Sequence, residues 1–230
     1  MEKGSVPIRR LLITVDGPAG VGKSTVSKRL AVRLGYSYLD TGAFYRAIAW
    51  KVQQEQLDLN NLTQVQLFLS HTQLQLTTGP DGLSLSIDGQ VLGQEELRVP
   101  AISQLASSVA ALPAIREWLL PLQQEVGKAR GVVAEGRDMG TRVFPDADVK
   151  FFLEADLAVR ARRRAQEFQQ KGEEVFFETV KEEMAVRDRR DRNRPLAPLR
   201  PAPEAIMVDT SRQSVEEVVE YMMEHIADRS

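Results

Sequence analysis

Hydrophobic positions along the chain follow two periods, which predicts strands and helices in alternation. Short apolar runs, typical of buried parallel strands, occupy residues 10–16, 36–40, 132–134, 149–153 and 206–208. Apolar residues three or four apart, typical of amphipathic helices, predict helices at 25–34, 43–53, 103–112, 114–128, 159–170, 176–187 and 214–227. The alternation favours an α/β fold with a mostly parallel sheet that carries helices on both faces.

One stretch of the chain departs from this pattern. Apolar and polar residues alternate there at period two around Leu74, Leu76, Leu83, Leu85 and Ile87. A turn sequence, Gly79-Pro-Asp-Gly82, separates the two alternating runs. The pattern predicts a small antiparallel meander at residues 73–92, inserted into the α/β framework.

Composition excludes several classes of protein. With 43% hydrophobic and 27% charged residues among 230, the chain is globular, and its net charge of −2 gives no general attraction to nucleic acid or membranes. The sequence has no cysteine for disulfides, thiolate catalysis or metal binding, and its two histidines are far apart. No apolar run approaches the ~18 residues of a membrane span, and residues 1–10 lack the apolar core of a secretory signal. A cytoplasmic protein is therefore expected.

Basic residues are unevenly distributed along the chain. None lies between Lys51 and Arg98, whereas eleven occur from Arg160 to Arg194. This contrast indicates regions with different functions.

The segment after the first predicted strand, Gly17-Pro-Ala-Gly-Val-Gly-Lys-Ser24, matches the phosphate-binding loop pattern G-x-x-x-x-G-K-[ST]. Glycines let the backbone curl so that successive N–H groups face one anion, and the following helix adds positive potential at its N-terminus. Lys23 is expected to reach the β- and γ-phosphates, and Ser24 to bind magnesium. A chance glycine-rich turn is the alternative, but the required strand and amphipathic helix flank the motif.

A phosphate loop indicates a phosphate donor without defining the reaction. The sequence lacks the Asn-Lys-x-Asp motif that reads guanine, which argues against a GTPase. A kinase for small molecules needs further arginines because it holds two polyanions together, and three segments offer candidates.

Two of these segments follow predicted strands. After the second strand, Thr41 either caps the next helix or, with Arg46, holds a phosphate. The other segment, Glu135–Thr141, lies at the carboxyl end of a strand, where open α/β sheets place their ligands. Within it, Arg137 and Asp138 either contact a ligand or form a structural ion pair with each other.

The third segment, Arg187–Arg194, has five arginines in eight residues. Such a run is often a solvated helix face, but arginine rather than lysine suits forked contacts with phosphate. Nucleic acid is not expected as a partner, because no aromatic residues are interleaved for base stacking.

Taken together, these motifs resemble bacterial cytidylate kinases, which are nucleoside monophosphate kinases. The segments that carry the resemblance are Asp16–Ser24, Leu39–Arg46, Ala106–Ala111, Pro113–Arg116, Glu135–Thr141 and Arg190–Arg194. The likeness extends from about Leu11 to about Glu224. The Gly-Arg-Asp-Met-Gly-Thr block joined to the arginine run is far more specific than the phosphate loop.

The resemblance implies a single P-loop kinase domain over residues 1–230. Its expected fold is α/β: a five-stranded parallel sheet flanked by helices, a small antiparallel β insert in the acceptor-binding region at about 65–107, and a helical lid at about 157–186. The expected reaction transfers the γ-phosphoryl group of ATP to CMP or dCMP, with Mg²⁺, in a monomer that binds neither nucleic acid nor membrane.

Site residues follow from the same resemblance, position by position. The residues implied for ATP are Gly17, Pro18, Ala19, Gly20, Val21, Gly22, Lys23, Ser24 and Thr25, with Ser24 also the metal ligand. Those implied for CMP are Thr41, Tyr45, Arg46, Ser107, Arg116, Arg137, Asp138, Arg187, Asp191 and Arg194. The expected catalytic residues are Lys23, Arg137, Arg187 and Arg194. Pro121 and Pro195 stiffen places that some relatives leave flexible, and Pro121 is expected to kink its helix.

The chemistry of the base supports this assignment independently. Cytosine presents an amino donor beside two acceptors, so Ser107 and Asp138 can accept while Arg116 or Arg194 donates. Uracil reverses two of these positions and would leave polar groups unpaired. A kinase for UMP or dTMP is the first alternative. A regulatory or RNA-binding protein that uses the loop as a switch is the second.

The basic stretch from Arg160 to Arg194 is expected to open without ligand, because like charges repel, and to close over both nucleotides. Which of its first arginines touch ligand is left open by the sequence; the candidates are Arg160, Arg162, Arg163 and Arg164.

Overall fold

The structure is a computed structural model that describes residues 10–79, 82–97, 99–170, 172–227 and 229. Residues Pro80 and Asp81 of the predicted turn, Arg98 and the predicted lid residue Lys171 lie outside the described residues.

The chain forms two sheets. Among the described strands, none of one sheet belongs to the other. The strands are β1 (Leu12–Asp16), β2 (Ser37–Asp40), β3 (Leu74–Gly79), β4 (Gly82–Ile87), β5 (Gln90–Val91), β6 (Val132–Gly136), β7 (Val149–Glu154) and β8 (Ile206–Asp209). The main sheet is parallel, with spatial order β2-β6-β1-β7-β8. The second sheet is antiparallel, with order β3-β4-β5. The predicted fold class and meander are confirmed.

Helices surround the main sheet and connect its strands. They are α1 (Lys23–Leu34), α2 (Thr41–Gln54), α3 (Leu62–His71), α4 (Gln94–Leu97), α5 (Pro100–Val109), α6 (Pro113–Gly127), α7 (Leu157–Gln170), α8 (Phe177–Asn193) and α9 (Val215–Ala227). A short π-helix, Met139–Val143, follows β6.

Strand β1 shows why its sequence is apolar throughout. Leu12 packs into a core shared with α2, α3, α5 and α6, whereas Ile13 and Val15 pack into a second core shared with α1 and α9. Both faces of the strand are therefore buried, as expected for the centre of a parallel sheet. A third apolar cluster joins α7 and α8, with Phe168 and Met184 among its members.

Two local features differ from the sequence predictions, and a third, helix α6, matches its predicted range to within one residue at each end. Helix α3 was not predicted; Asn61 caps it by accepting a hydrogen bond from the Gln64 N–H (3.1 Å), and Val65 and Phe68 bury its apolar face. Helix α6 continues past Pro121 to Gly127. Helix α8 extends six residues beyond the predicted end at 187, so the arginine run is helical to Asn193.

Candidate functional site

A cleft of about 1420 Å³ opens at the carboxyl ends of the main-sheet strands. The predicted site residues that line it are Ala19, Gly20, Val21, Gly22, Lys23, Ser24, Thr25, Thr41, Tyr45, Arg46, Ser107, Arg116, Arg137, Asp138, Arg187, Asp191 and Arg194. Only Gly17 and Pro18 of the predicted set are absent from this lining, and both are buried. Tertiary folding thus brings together residues from six separate chain segments.

The phosphate loop runs from the end of β1 into the first turn of α1. A Cβ at Gly17 would lie 2.3 Å from the Leu153 carbonyl oxygen, so only glycine permits the loop to turn this close to β7. Gly20 and Gly22 have positive φ values of 71° and 98°, which glycine adopts without strain. The loop therefore presents backbone N–H groups at the positive end of α1.

Lys23 is buried and donates from Nζ to the Pro18 carbonyl oxygen at 2.7 Å. Burial and then the Arg137 charge hold the pKa of Lys23 well below its usual range. A bound anion would restore the preference for the charged ammonium, because opposite charge favours the ionised form. Lys23 is thus arranged to respond to a phosphate.

Asp16 ends β1 directly before the loop, and sequence reasoning did not single it out. Its carboxylate accepts hydrogen bonds from the backbone N–H groups of Met139 (2.9 Å) and Gly140 (2.8 Å). Burial raises the pKa of Asp16 to about 6, although these two bonds oppose the rise. The carboxylate ties the phosphate loop to the start of the π-helix.

Ser24 is the residue that best fits a magnesium ion. Its hydroxyl lies within hydrogen-bonding reach of the buried Glu135 carboxylate, to which the Tyr38 hydroxyl also donates. Burial raises the pKa of Glu135, and its Oε2 has no hydrogen-bond partner. Among the described residues no group of three or more acidic or histidine side chains is arranged around a metal. Magnesium held between substrate phosphates needs only one or two protein oxygens, so Ser24 fits it.

Thr41 and Arg46 lie on the first two turns of α2. Thr41 does not cap that helix: Asp40 occupies the N-cap position, and the Thr41 hydroxyl donates to the Glu135 carbonyl oxygen at 2.7 Å. The capping alternative was therefore wrong, because the hydroxyl is used to join α2 to β6. Arg46 pairs with Asp40 at 2.6 Å, while its buried Nε has no hydrogen-bond partner among the described residues.

At the far end of the cleft, two arginines share one carboxylate. Arg116 and Arg194 each contact a different oxygen of Asp138, the latter at 3.2 Å. All three residues are buried, and the Arg116 guanidinium lies 5.4 Å from the ring centre of Tyr45. The Ser107 hydroxyl is buried beside the cleft and has no hydrogen-bond partner in the described part of the chain. At this end of the cleft the charged groups are therefore paired with one another, and the Ser107 hydroxyl is available to a ligand.

Arg137 and Asp138 do not pair with each other. Arg137 donates from Nε to Asp191 at 3.0 Å, which overturns the alternative of a local ion pair. The side chains of Arg137 and Asp138 point in different directions, because Asp138 contacts Arg116 on α6 and Arg194 at the end of α8. Burial and the Arg137 charge lower the pKa of Arg187 to about 10, and its Nε has no partner. Arg137 and Arg187 therefore place two positive charges beside one carboxylate, Asp191, at the cleft.

The arginine run is partly buried and partly solvated along α8. Asp188, Asp191 and Arg194 are buried, whereas residues 189, 190, 192 and 193 are exposed. The solvated-face alternative is therefore correct for one side of the helix only.

One residue that lines the cleft, Thr210, was missed by sequence reasoning, whereas Arg163 was among the arginines whose role the sequence left open. Arg163 donates to the Thr210 carbonyl oxygen at 2.6 Å, and Thr210 in turn donates to Val21 of the phosphate loop at 3.0 Å. Thr210 lies two residues beyond the predicted strand at 206–208 and directly after β8, a position at which ligand sites are common in such sheets. Its position after a strand was the signal by which sequence analysis could have found Thr210.

A phosphate loop between β1 and α1 of a parallel sheet, facing a second set of arginines across a cleft, defines a P-loop phosphotransferase of the kinase type. The sequence model of the cytidylate kinase family matches residues 13–228, and the chain belongs to that family.

Curated relatives agree with this family. A cytidylate kinase from Caldanaerobacter subterraneus subsp. tengcongensis (strain DSM 15242 / JCM 11007 / NBRC 100824 / MB4) is 45% identical over 214 residues, which cover 93% of each chain. A bifunctional pantoate ligase/cytidylate kinase from Synechococcus sp. (strain JA-2-3B'a(2-13)) is 44% identical over 215 residues, or 92% of this chain and 40% of that protein. This chain thus spans about two fifths of that bifunctional relative.

A solved structure shows the same fold. The crystal structure of an uncharacterized protein from Eubacterium ventriosum ATCC 27560 matches with a TM-score of 0.53 and 12% identity, covering 96% of this chain and 100% of that chain. At this identity the likeness concerns the fold alone.

Within the described residues, none of the helices combines the length and apolar character needed to cross a bilayer.

Proposed function

We propose that the chain transfers the γ-phosphoryl group of ATP to CMP or dCMP, giving ADP and CDP or dCDP. The observation that carries this proposal is one cleft with a phosphate loop at one end and the Arg116–Asp138–Arg194 cluster beside Ser107 at the other. Membership of the cytidylate kinase family supports the same substrates.

At the donor end, the loop N–H groups and Lys23 bind the β- and γ-phosphates of ATP. Because burial disfavours the Lys23 ammonium in the free protein, the donor phosphates stabilise the charge that the transfer needs. Ser24 is the proposed ligand for magnesium, which neutralises charge on the phosphates when bound.

The acceptor phosphate binds between the two ends of the cleft. Arg46 and Arg187 line this part, and each has a buried Nε without a protein partner. Arg137 adds a third guanidinium, and arginine forks match phosphate oxygens well. Holding the acceptor against the γ-phosphate supplies much of the acceleration, because it replaces a bimolecular encounter by a positioned one.

In the transfer step, an oxygen of the CMP phosphate bonds to the γ-phosphorus as the bond to the β–γ bridging oxygen of ATP breaks. The transition state is loose, so charge stabilisation by Lys23, Arg137 and Arg187 matters more than a chemical base. The acceptor phosphate is itself the nucleophile and is largely ionised at neutral pH.

The cytosine base is read by the buried cluster. The open Ser107 hydroxyl and the remaining lone pairs of Asp138 accept from the amino group, and unused N–H groups of Arg116 or Arg194 donate to the ring acceptors. Uracil places a donor and an acceptor at the wrong positions. The rigid pairing of both arginines with Asp138 prevents the site from adapting to it.

The test measures ADP formation from ATP with CMP, dCMP, UMP, dTMP and AMP supplied separately, with products identified by phosphorus NMR. We expect rapid, stoichiometric conversion with CMP and dCMP. Preference for UMP or dTMP would indicate a kinase for another base, and slow ATP hydrolysis without any acceptor would favour a nucleotide-dependent switch. Four expectations from the sequence remain predictions: magnesium dependence, monomeric action, a mobile lid and a cytoplasmic location. Titrating EDTA into the same assay tests the magnesium dependence.

A further inference from the structure

Arg160, near the start of α7, is enclosed by protein groups. Its Nε donates to the Ala155 carbonyl oxygen (3.0 Å), its Nη1 donates to the Ala19 carbonyl oxygen (3.0 Å), and its Nη2 pairs with Asp188 (2.7 Å). The residue is 4% exposed and does not line the cleft. All three guanidinium nitrogens are therefore engaged by three different segments: the end of β7, the phosphate loop and α8.

At the same place the backbone of the phosphate loop lies close to both α7 and α8. A Cβ at Gly20 would lie 2.8 Å from the Met184 side chain on α8 and 3.2 Å from the Arg160 carbonyl oxygen. Ala19 also packs against the apolar cluster of α7 and α8. Ala19 and Gly20 of the phosphate loop thus contact the pair of helices α7 and α8 directly.

The α7–α8 pair is otherwise a separate packing unit. Its apolar cluster, which includes Ala161, Phe168 and Met184, is distinct from the two cores on the faces of the main sheet. Such a unit can shift as a body relative to the sheet, since few apolar contacts would be broken. Polar contacts therefore have a large share in setting where the pair lies, and those of Arg160 act together with Arg163–Thr210 and Arg137–Asp191.

Asp188 connects this contact to the acceptor site. It is adjacent to Arg187, whose guanidinium faces the cleft, and one helical turn before Asp191, which holds Arg137. Asp188 is buried, and its Oδ1 has no partner, so Arg160 provides its compensating charge. The position of Asp188 thus determines where Arg187 lies relative to the phosphate loop.

We infer that Arg160 is a positioning residue that couples the phosphate loop to α8, so that Arg187 and Arg137 are placed correctly when donor phosphates occupy the loop. The inference builds on the proposed kinase function and identifies one lid arginine that acts on protein rather than on nucleotide. Its guanidinium fork is required, because one ammonium cannot span Ala155, Ala19 and Asp188 together.

The kinetic test compares Arg160→Met, Arg160→Lys and a control, Arg162→Ala, which changes an exposed arginine on the same helix. For both Arg160 variants we expect kcat to fall by roughly 10- to 100-fold, as for a small misplacement of reacting groups. The KM for CMP should change less than kcat, because Ser107, Arg116 and Asp138 of the base end lie outside α7 and α8. A role of charge alone predicts rescue by lysine. Arg162→Ala should retain wild-type kinetics.

A double variant, Arg160→Met with Asp188→Asn, keeps the test decisive if Arg160→Met folds poorly. Removing the carboxylate charge avoids an uncompensated buried ion, so stability should recover. Under the inference, kcat stays low in this folded double variant. Recovery of kcat together with stability would show that Arg160 has only a structural role.

Hydrogen exchange separates this inference from the proposed function, because it needs no phosphate acceptor. With a non-hydrolysable ATP analogue alone, we expect protection to rise in residues 17–25 and in 177–193 of the wild type. In the double variant, protection should rise in 17–25 only. Equal protection of 177–193 in both proteins, or no rise there in the wild type, would overturn the coupling. Failure to phosphorylate CMP with this exchange pattern intact would overturn the proposed function alone.

Discussion

The two ends of the cleft are built in contrasting ways. The donor end is a continuous segment, residues 17–25, in which the proposed phosphate contacts are backbone N–H groups and one buried lysine. The base end takes side chains from α2, α5, α6, the segment after β6 and the end of α8. A backbone site depends on a short sequence, whereas a side-chain site depends on how distant segments pack.

The contrast extends to electrostatics. Lys23 at the donor end donates to the Pro18 carbonyl oxygen instead of a carboxylate, and its charge is disfavoured by burial. At the base end, Arg116 and Arg194 already share Asp138. Changes at the donor end should therefore affect the rate more than stability, while changes at the base end should affect stability and base choice together.

Lys23→Met should give the largest effect and test the donor end. We expect kcat to fall by about a thousandfold or more with every acceptor, because the transferring phosphoryl group loses a positive charge. The free energy of unfolding should change little, since the ammonium is disfavoured by burial in the free protein. Single-turnover ADP formation and thermal melting measure the two quantities. A folded variant with near-normal turnover would contradict the role of the loop.

Asp138→Asn tests the base end. Two buried guanidinium groups lose their counter-charge, so the free energy of unfolding should fall by about 3 kcal/mol or more. The preference for CMP over UMP should drop by roughly tenfold or more, because a charge-assisted hydrogen bond is lost. Specificity constants for both substrates and urea unfolding measure these changes, with exposed Asp146→Asn as the control. Equal loss with CMP and UMP would show that Asp138 is structural only.

Asp16 joins the two ends, and its titration offers a pH-dependent test. The pKa of its carboxyl rises from 3.8 to about 6 on folding, which makes the ionised form cost about 3 kcal/mol. The folded state binds more protons than the unfolded state between these values, so this contribution to stability is full below pH 3.8 and is lost as the pH rises through 6.

The measurement is the difference in unfolding free energy between the wild type and Asp16→Asn as a function of pH. From pH 7 to pH 4, the wild type should gain up to about 3 kcal/mol relative to the variant, which lacks the titrating group. A difference independent of pH would mean that Asp16 titrates normally.

Gly20→Ala and Gly22→Ala form a matched pair of variants. The expected difference between their stabilities is the smallest effect predicted for the cleft. Both positions have positive φ, so each alanine should cost about 1–2 kcal/mol of strain. Only Gly20 would bring its Cβ against α8, whereas Gly22 has no atom within 4 Å of that position. Gly20→Ala should therefore be less stable by a further ~1 kcal/mol. Calorimetric melting measures both, and equal losses would show that the helix pair does not press on the loop.

Much of this protein follows from its sequence alone, for reasons that are local. Apolar periods predicted the parallel sheet, the meander and most helices, because each depends on neighbours along the chain. The phosphate loop was predicted because glycine and lysine spacing determines how the backbone can curl between β1 and α1. The missed helix α3 has its cap at Asn61 and apolar residues at Val65, Phe68 and Leu69, so the local signal was present.

Tertiary structure alone decided which partners the polar side chains have. Arg137 pairs with Asp191, 54 positions away, instead of its neighbour Asp138. Thr41 joins β6 instead of capping its helix, and Arg160 is enclosed instead of facing ligand. Arginine and aspartate look alike in a sequence whether they bind a substrate or each other. Their roles depend on which buried charges the fold brings within hydrogen-bonding distance, since a charge removed from water must find a partner there.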